Sequence, residues 1–85
     1  MLGFTKSLAR EIGSRNITVN CVAPGYMQTE MTGSLQEEQL EAIQRRSPLG
    51  LPRVEDAAAA VSYLLSADAA RVTGTVITVD GGSTA

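Results

Sequence analysis

Ile17-Thr18-Val19-Asn20-Cys21-Val22-Ala23-Pro24-Gly25 is the stretch on which the fold turns. Ile17, Thr18, Val19 and Val22 are β-branched and Pro24-Gly25 stops the run, so residues 17–23 are predicted to form a strand. Its last apolar positions fall on both faces, as in a parallel strand covered on both sides. Cys21 reads as a small buried hydrophobe, because a reactive thiol needs an exposed, electropositive setting. Asn20 is the odd member, a polar amide at an interior position. It is expected to find backbone or side-chain partners in a neighbouring element, since leaving it bare costs about 1–3 kcal/mol.

On the N-terminal side of this strand, Met1, Phe4, Leu8, Ala9 and Ile12 recur at three- and four-residue spacing and predict a helix over 1–14. No cap residue or first-turn acid opens it. Asn16 is suited to the left-handed position that follows a helix. On the other side, Ser34-Leu35-Gln36-Glu37 is a capping box opening a polar helix to about residue 46. Leu35, Leu40, Ala42 and Ile43 give it an apolar side, and Ser47-Pro48-Leu49-Gly50-Leu51-Pro52 breaks it. A third helix starts near Val54, with Glu55 and Asp56 at the positive end of its dipole. Ala57, Val61, Leu64 and Leu65 are expected to form its buried stripe. A polar turn over 66–71 leads to a last strand, Thr75-Val76-Ile77-Thr78-Val79. Asp80-Gly81-Gly82 closes that strand, with Asp80 expected to bond local backbone.

The order is helix, strand, helix, helix, strand. Two strands joined through a long helical crossover predict a parallel pair in an α/β sheet. A pair is not a whole sheet, because parallel sheets are covered on both faces and hold several strands. The expectation is the C-terminal part of a doubly wound parallel sheet. Its unpaired strand edge would favour association or aggregation of the isolated chain.

Composition removes several classes of function. Of 85 residues, 7 are Lys or Arg and 9 are Asp or Glu, a net charge of −2, which argues against a nucleic-acid footprint or a polybasic membrane patch. Histidine is absent, which excludes Ser-His-Asp and Cys-His nucleophile systems and His-ligated metal within this chain. One cysteine forms no internal disulfide and no Cys-rich zinc site, so no metal site is expected. No apolar run suits a signal peptide or a membrane span, so the expectation is a soluble cytoplasmic protein. The sequon Asn16-Ile17-Thr18 is then read as chance.

Four segments in register carry a family resemblance over almost the whole chain. Residues 17–29, ending Pro24-Gly25-Tyr26-Met27-Gln28-Thr29, resemble the strand and Pro-Gly-x-x-x-Thr segment of the short-chain dehydrogenases/reductases. Thr73-Gly74-Thr75-Val76-Ile77-Thr78-Val79-Asp80-Gly81-Gly82 is similar to their C-terminal strand and its Asp-Gly-Gly ending. Leu2-Gly3-Phe4-Thr5-Lys6-Ser7-Leu8-Ala9-Arg10-Glu11 is similar to the long helix after their Tyr-x-x-x-Lys motif, and Pro48-Leu49-Gly50 to the segment before their penultimate helix. The helix and the loop Gly25–Thr32 are nearest to members reducing β-ketoacyl groups on acyl carrier protein, in fatty acid biosynthesis. Members acting on other alcohols, sugars or steroids share much of this. One departure is Leu51, where the family often has Arg, and the connection to Glu55 is a residue short.

The resemblance implies that residues 1–85 are the C-terminal segment of one NAD(P)-binding Rossmann-like domain, with a substrate lid over 30–52. It implies hydride transfer from NADP or NAD to a carbonyl, with a Tyr donating the proton, a Lys lowering its pKa and a Ser polarising the carbonyl. None of that machinery falls in this chain. Tyr26 is followed four residues on by Glu30, and Tyr63 by Ala67; Lys6, the single lysine, is preceded at that spacing by Leu2. There is no Gly-rich dinucleotide turn. No residue here is therefore catalytic, and the chain alone is expected to be inactive. What the family match assigns to it is the nicotinamide end of the cofactor. Pro24 fixes the exit of the strand and Gly25 lets backbone approach a flat ring. The Met27 amide faces a carboxamide, and the Thr29 hydroxyl bonds the same amide or a phosphate. Glu37, Glu38 and Glu41 read as a solvated face. Arg45 and Arg46 read as soluble surface, with an acidic carrier protein as the alternative. The resemblance further implies a homo-tetramer through residues 1–14, 54–66 and 75–79; a non-catalytic association module is the other reading of the same parts.

Overall fold

The structure, a computed structural model, describes residues 2–25 and 37–85. Its elements run α1 (Leu2–Ile12), β1 (Cys21–Pro24), α2 (Glu37–Arg45), α3 (Val54–Leu65) and β2 (Val76–Val79), with short 3-10 turns at Gly13–Arg15 and Ala67–Ala69. This is the helix, strand, helix, helix, strand order expected of an α/β chain. The strands pair with each other in a two-stranded sheet. The Cys21 N–H donates to the Thr75 carbonyl and the Gly25 N–H to the Val79 carbonyl, each at 3.0 Å. Both partners advance together by four residues, so the pair is parallel.

By its contacts the chain divides into two compact units, residues 1–22 with 59–77, and residues 23–58 with 78–85. In the first, α1 passes through the 3-10 turn and ends at Asn16, which adopts φ 62° and donates its N–H to the Gly13 carbonyl at 3.0 Å. A left-handed asparagine closing this helix is what the sequence predicts. β1 begins four residues later than expected, and Asn20 explains why. In step with the Cys21–Thr75 bond, the Val19 carbonyl would accept from Thr75; it accepts instead from Gly74, at 2.8 Å. The freed Thr75 N–H donates to Asn20 Oδ1 at 3.1 Å, while Asn20 Nδ2 donates to the Val72 carbonyl at 2.9 Å. Thr73 Oγ1 takes the Val19 N–H at 3.0 Å. A side-chain amide thus replaces one step of the ladder where the partner strand slips by a residue. Asn20 has the partners predicted for it.

The apolar stripes of this unit are far less covered than their spacing predicts. On α1 only Ala9 and Thr5 are buried, and Phe4 is 68 % exposed. Ala69 is the other buried apolar residue of the unit. α3 has no buried residue, and Leu65 at its end is 83 % exposed. Cys21, expected to be buried, is half-buried. The physical reason is supply: among the described residues, too few elements exist to cover both faces of a parallel strand and two helices.

In the second unit, α2 keeps Ile43 buried with Leu40 and Ala42 half-buried. Its expected capping Ser34, and Leu35, lie outside the described residues. The helix ends where the Pro-containing run begins: buried Ser47 donates its hydroxyl to the Ile43 carbonyl at 2.8 Å, and Gly50 its N–H to the Ser47 carbonyl at 2.8 Å. α3 then opens with Asp56 Oδ2 accepting the Arg53 N–H at 2.8 Å, the reach-back half of a capping box.

Candidate functional site

β1 ends at Pro24, and the carboxyl end of a parallel strand is where open α/β sheets bind ligands. Pro24 is exposed there and Gly25 half-buried. Met27 and Thr29, the other two residues expected to meet a cofactor, lie outside the described residues, as do residues 30–36 of the predicted lid over 30–52.

Gly25 proves to be a position of close approach for a reason the sequence reading did not contain. A Cβ added to it would lie 2.8 Å from Asp80 Cβ and 3.2 Å from Asp80 Cα. Its own chain fills the space that a side chain would need. Asp80, just after β2, is buried and locally bonded, as the Asp-Gly-Gly ending predicts. Its Oδ1 accepts the Gly82 N–H at 2.8 Å, and its Oδ2 accepts the Thr84 N–H at 3.0 Å together with the Thr84 hydroxyl. The Thr84 hydroxyl first, then the Gly82 amide, hold the Asp80 carboxyl below its ordinary value, against the opposing pull of burial.

The turn built on Asp80 also holds the far end of α2. Leu49 donates its N–H to the Gly81 carbonyl at 2.9 Å. Gly81 has φ +67°, and a Cβ there would come within 1.9 Å of the Gly50 carbonyl oxygen. Only glycine fits both the dihedral and the space. Strand exit, C-terminal turn and the break after α2 are thereby fastened together.

Between them lies a cavity of about 420 Å³, lined by Pro24, Gly25, Ile43, Arg46, Ser83 and Thr84. The structure brings the predicted Pro24 and Gly25 to it. Ile43 was legible only as core. Ser83 and Thr84 carried no signal except their place after the glycines, and Arg46 read as soluble surface. The cavity wall offers backbone, a proline ring and an isoleucine to one side of a planar group, which fits the nicotinamide end of a dinucleotide. Lys6 is used elsewhere, its Nζ donating to the Gly74 carbonyl at 3.1 Å. Tyr63 lies on α3, 45 % exposed. No cluster of potential metal ligands occurs among the described residues, and no helix among them is long and apolar enough to cross a membrane.

A parallel strand pair, a Pro-Gly exit and an Asp-Gly-Gly turn seated against that glycine are consistent with part of a Rossmann-like α/β fold. The family model described as enoyl-(acyl carrier protein) reductase matches residues 1–84, and the chain belongs to this family, within the short-chain dehydrogenases/reductases. Among its relatives, the 3-oxoacyl-(acyl-carrier-protein) reductase FabG of Pseudomonas aeruginosa is 53 % identical over 81 residues, covering 94 % of this chain and 33 % of the relative. Nodulation protein G of Rhizobium sp. (strain N33) is 52 % identical over 83 residues, covering 96 % and 34 %. The FabG reductase of Vibrio cholerae is 48 % identical over 85 residues, with the same coverage. The chain spans about a third of the length of these curated relatives.

Proposed function

We propose that this chain is part of an NADP(H)- or NAD(H)-dependent reductase that converts the 3-oxo group of an acyl chain, carried on acyl carrier protein, to an alcohol. The observation that carries the reading is the cavity at the carboxyl end of β1, walled by Pro24 and Gly25, in a chain about half identical to reductases named for that reaction. A bound nicotinamide supplies the hydride. Pro24 and Gly25 form the wall against which its ring lies, and Met27 and Thr29 hold its carboxamide end. Residues 30–52 act as the substrate lid, shielding the reacting carbonyl from water. The groups that move the proton belong to the other two-thirds of the fold, so these 85 residues do no chemistry alone. The complete enzyme is soluble, cytoplasmic and a homo-tetramer in this reading.

A second reading, a non-catalytic association module, is favoured by one observation: the uncovered Phe4 and Leu65, which suit burial against another chain. One experiment separates the two. Residues 1–85 are joined behind the first two-thirds of the Pseudomonas aeruginosa relative, and NADPH oxidation is followed with a 3-oxoacyl thioester. Turnover within tenfold of the relative is expected, against background for the 85-residue chain by itself. A chimera that folds and binds NADPH yet reduces nothing would overturn the reductase reading.

A further inference from the structure

We infer that Asp80–Gly81 is a modification site, where an aspartyl-to-isoaspartyl rearrangement is held off by the folded turn and destroys that turn once it occurs. It holds whichever function the chain serves. Of the three aspartates, Asp80 alone is followed by glycine; Asp56 and Asp68 are each followed by alanine. A glycine nitrogen has no side chain beside it to hinder attack on the neighbouring carboxyl. In the rearrangement the Gly81 backbone nitrogen bonds to Asp80 Cγ, and the carboxyl hydroxyl leaves with the amide proton as water. The five-membered imide then takes up water at one of its two carbonyls. Opening at Cγ restores aspartate, whereas opening at the main-chain carbonyl leaves the backbone running through Cβ. Nothing is oxidised or reduced, and water is the sole co-reactant.

The folded turn opposes the first step. Attack needs a protonated carboxyl that is free to present its Cγ to the nitrogen. Asp80 is buried and both its oxygens are held, Oδ1 by the Gly82 N–H at 2.8 Å, Oδ2 by the Thr84 N–H at 3.0 Å and by the Thr84 hydroxyl. These bonds keep it ionised to lower pH than an ordinary carboxyl. The same turn has no room for the product. Isomerisation inserts Cβ into the main chain between Asp80 and Gly81. There, a Cβ on Gly81 would already lie 1.9 Å from the Gly50 carbonyl oxygen, and one on Gly82 3.1 Å from Pro48 Cδ. Gly25 closes the other side, since a Cβ on it would lie 2.8 Å from Asp80 Cβ, the atom that becomes backbone. The rearranged chain therefore loses the three bonds to the Asp80 carboxylate and the Leu49 N–H bond to the Gly81 carbonyl. Local opening of the turn sets the rate, and each event leaves a chain that cannot re-form it.

The test incubates the 85-residue chain at neutral pH in plain buffer and, beside it, in guanidinium chloride past the unfolding transition. Isoaspartate is read in the tryptic peptide 72–85 by its resistance to an aspartate-specific endoproteinase. Peptide 54–71, which holds Asp56 and Asp68, is the control. In denaturant Asp80 should convert well ahead of Asp56 and Asp68. In plain buffer its conversion should be slower by at least about tenfold, because the turn must open first. Thr84→Val removes the hydroxyl and keeps the amide. It should speed the reaction in plain buffer about tenfold, the scale of one hydrogen bond to a charged group, and leave the denatured rate unchanged. Thr84→Ser, which keeps the hydroxyl, should stay near the parent. Circular dichroism reports the fold of each, and the parent's own two rates decide the matter if Thr84→Val unfolds. In purified isoaspartyl chain the Leu49 amide should lose its exchange protection while the Asn16 amide, bonded to Gly13, keeps its own. Equal parent rates with and without denaturant, a folded Thr84→Val variant at the parent's rate, or a rearranged chain that keeps Leu49 protected would overturn the inference.

Discussion

In residues 2–22 and 59–77 the closing contact is a neutral amide: Asn20 takes the Val72 carbonyl and the Thr75 N–H. In residues 23–58 and 78–85 it is a carboxylate: Asp80 gathers the Gly82 and Thr84 amides and the Thr84 hydroxyl. Around Asn20 the backbone is loosely seated, and a Cβ on Gly74 would meet only Ala9 Cβ at an ordinary 3.5 Å. Around Asp80 two glycines are pressed against neighbouring chain with no room for a methyl group. The first region holds its shape by satisfying polar groups and leaves its apolar helix faces bare. The second holds its shape by steric fit, and that fit frames the candidate site. Tight seating at the strand exit is what a preformed binding wall requires.

The sharpest way to break this contrast is one methyl group in each region. Gly81→Ala places a Cβ 1.9 Å from the Gly50 carbonyl oxygen at φ +67°, so the backbone itself must move. It is expected to cost about 3–5 kcal/mol, overpacking added to a left-handed alanine. Gly74→Ala meets the same kind of dihedral, φ +70°, without a clash. About 1–2 kcal/mol is expected there, the dihedral alone. Urea unfolding followed by circular dichroism measures both. Equal losses would mean that the turn at Gly81 yields easily and frames nothing.

How much of this was legible follows from the range of the contacts involved. Helix, strand and turn order is local, and periodicity, Asn16, Pro24 and the Asp-Gly-Gly ending announce it within a few residues. Asn20 was readable because a lone amide among β-branched residues must find partners, whatever they are. The close seating of Gly25 on Asp80 was not, since nothing local says which chain will arrive there; a flat ligand and a neighbouring strand end ask for the same glycine. The bare stripes failed for a related reason. Spacing tells which side of α1 and α3 is apolar but not whether anything covers it, and in this chain Phe4 and Leu65 stay open. Arg46 escaped because an exposed arginine at a helix end resembles any soluble surface until the opposite wall is known.

Acid tests the same contrast from the side of charge. Folding holds the Asp80 carboxyl below the ordinary 3.8, through the Thr84 hydroxyl and then the Gly82 amide. Above 3.8 the carboxyl is ionised in both the folded and unfolded chain, and its full contribution to stability is present. As pH falls below that value the unfolded chain takes up the proton first. The contribution then drains, and it is gone once pH drops below the folded-state value. Asp80→Asn should be less stable than the parent at pH 6 and lose less on acidification, with the two curves converging as pH falls below 3.8 and through the lower folded-state value. The protection of the Gly82 and Thr84 amides, measured against the intrinsic exchange rate at each pH, should fall on acidification while that of Thr75, held by the neutral Asn20, is kept. Parallel stability curves for the parent and the Asp80→Asn variant would remove the carboxylate from its place in the contrast.

The smallest effect on stability, and the most telling for the loosely covered region, is expected at Leu65. At 83 % exposure it contributes almost no burial to the folded chain, so Leu65→Lys should change the urea midpoint by no more than about 0.5 kcal/mol. A cation in the last turn of α3 even gains slightly from the helix dipole. What should change is association. An apolar residue that nothing in its own chain covers is available to a second molecule, and sedimentation velocity should find the parent chain in larger species that Leu65→Lys shifts toward monomer. Phe4→Lys on α1, at 68 % exposure, should act in the same direction. If either substitution unfolds the chain while leaving its size distribution alone, that side chain stabilises the fold from within. The first region would then be closed by its apolar faces after all, and its difference from the region around Asp80 would be one of degree.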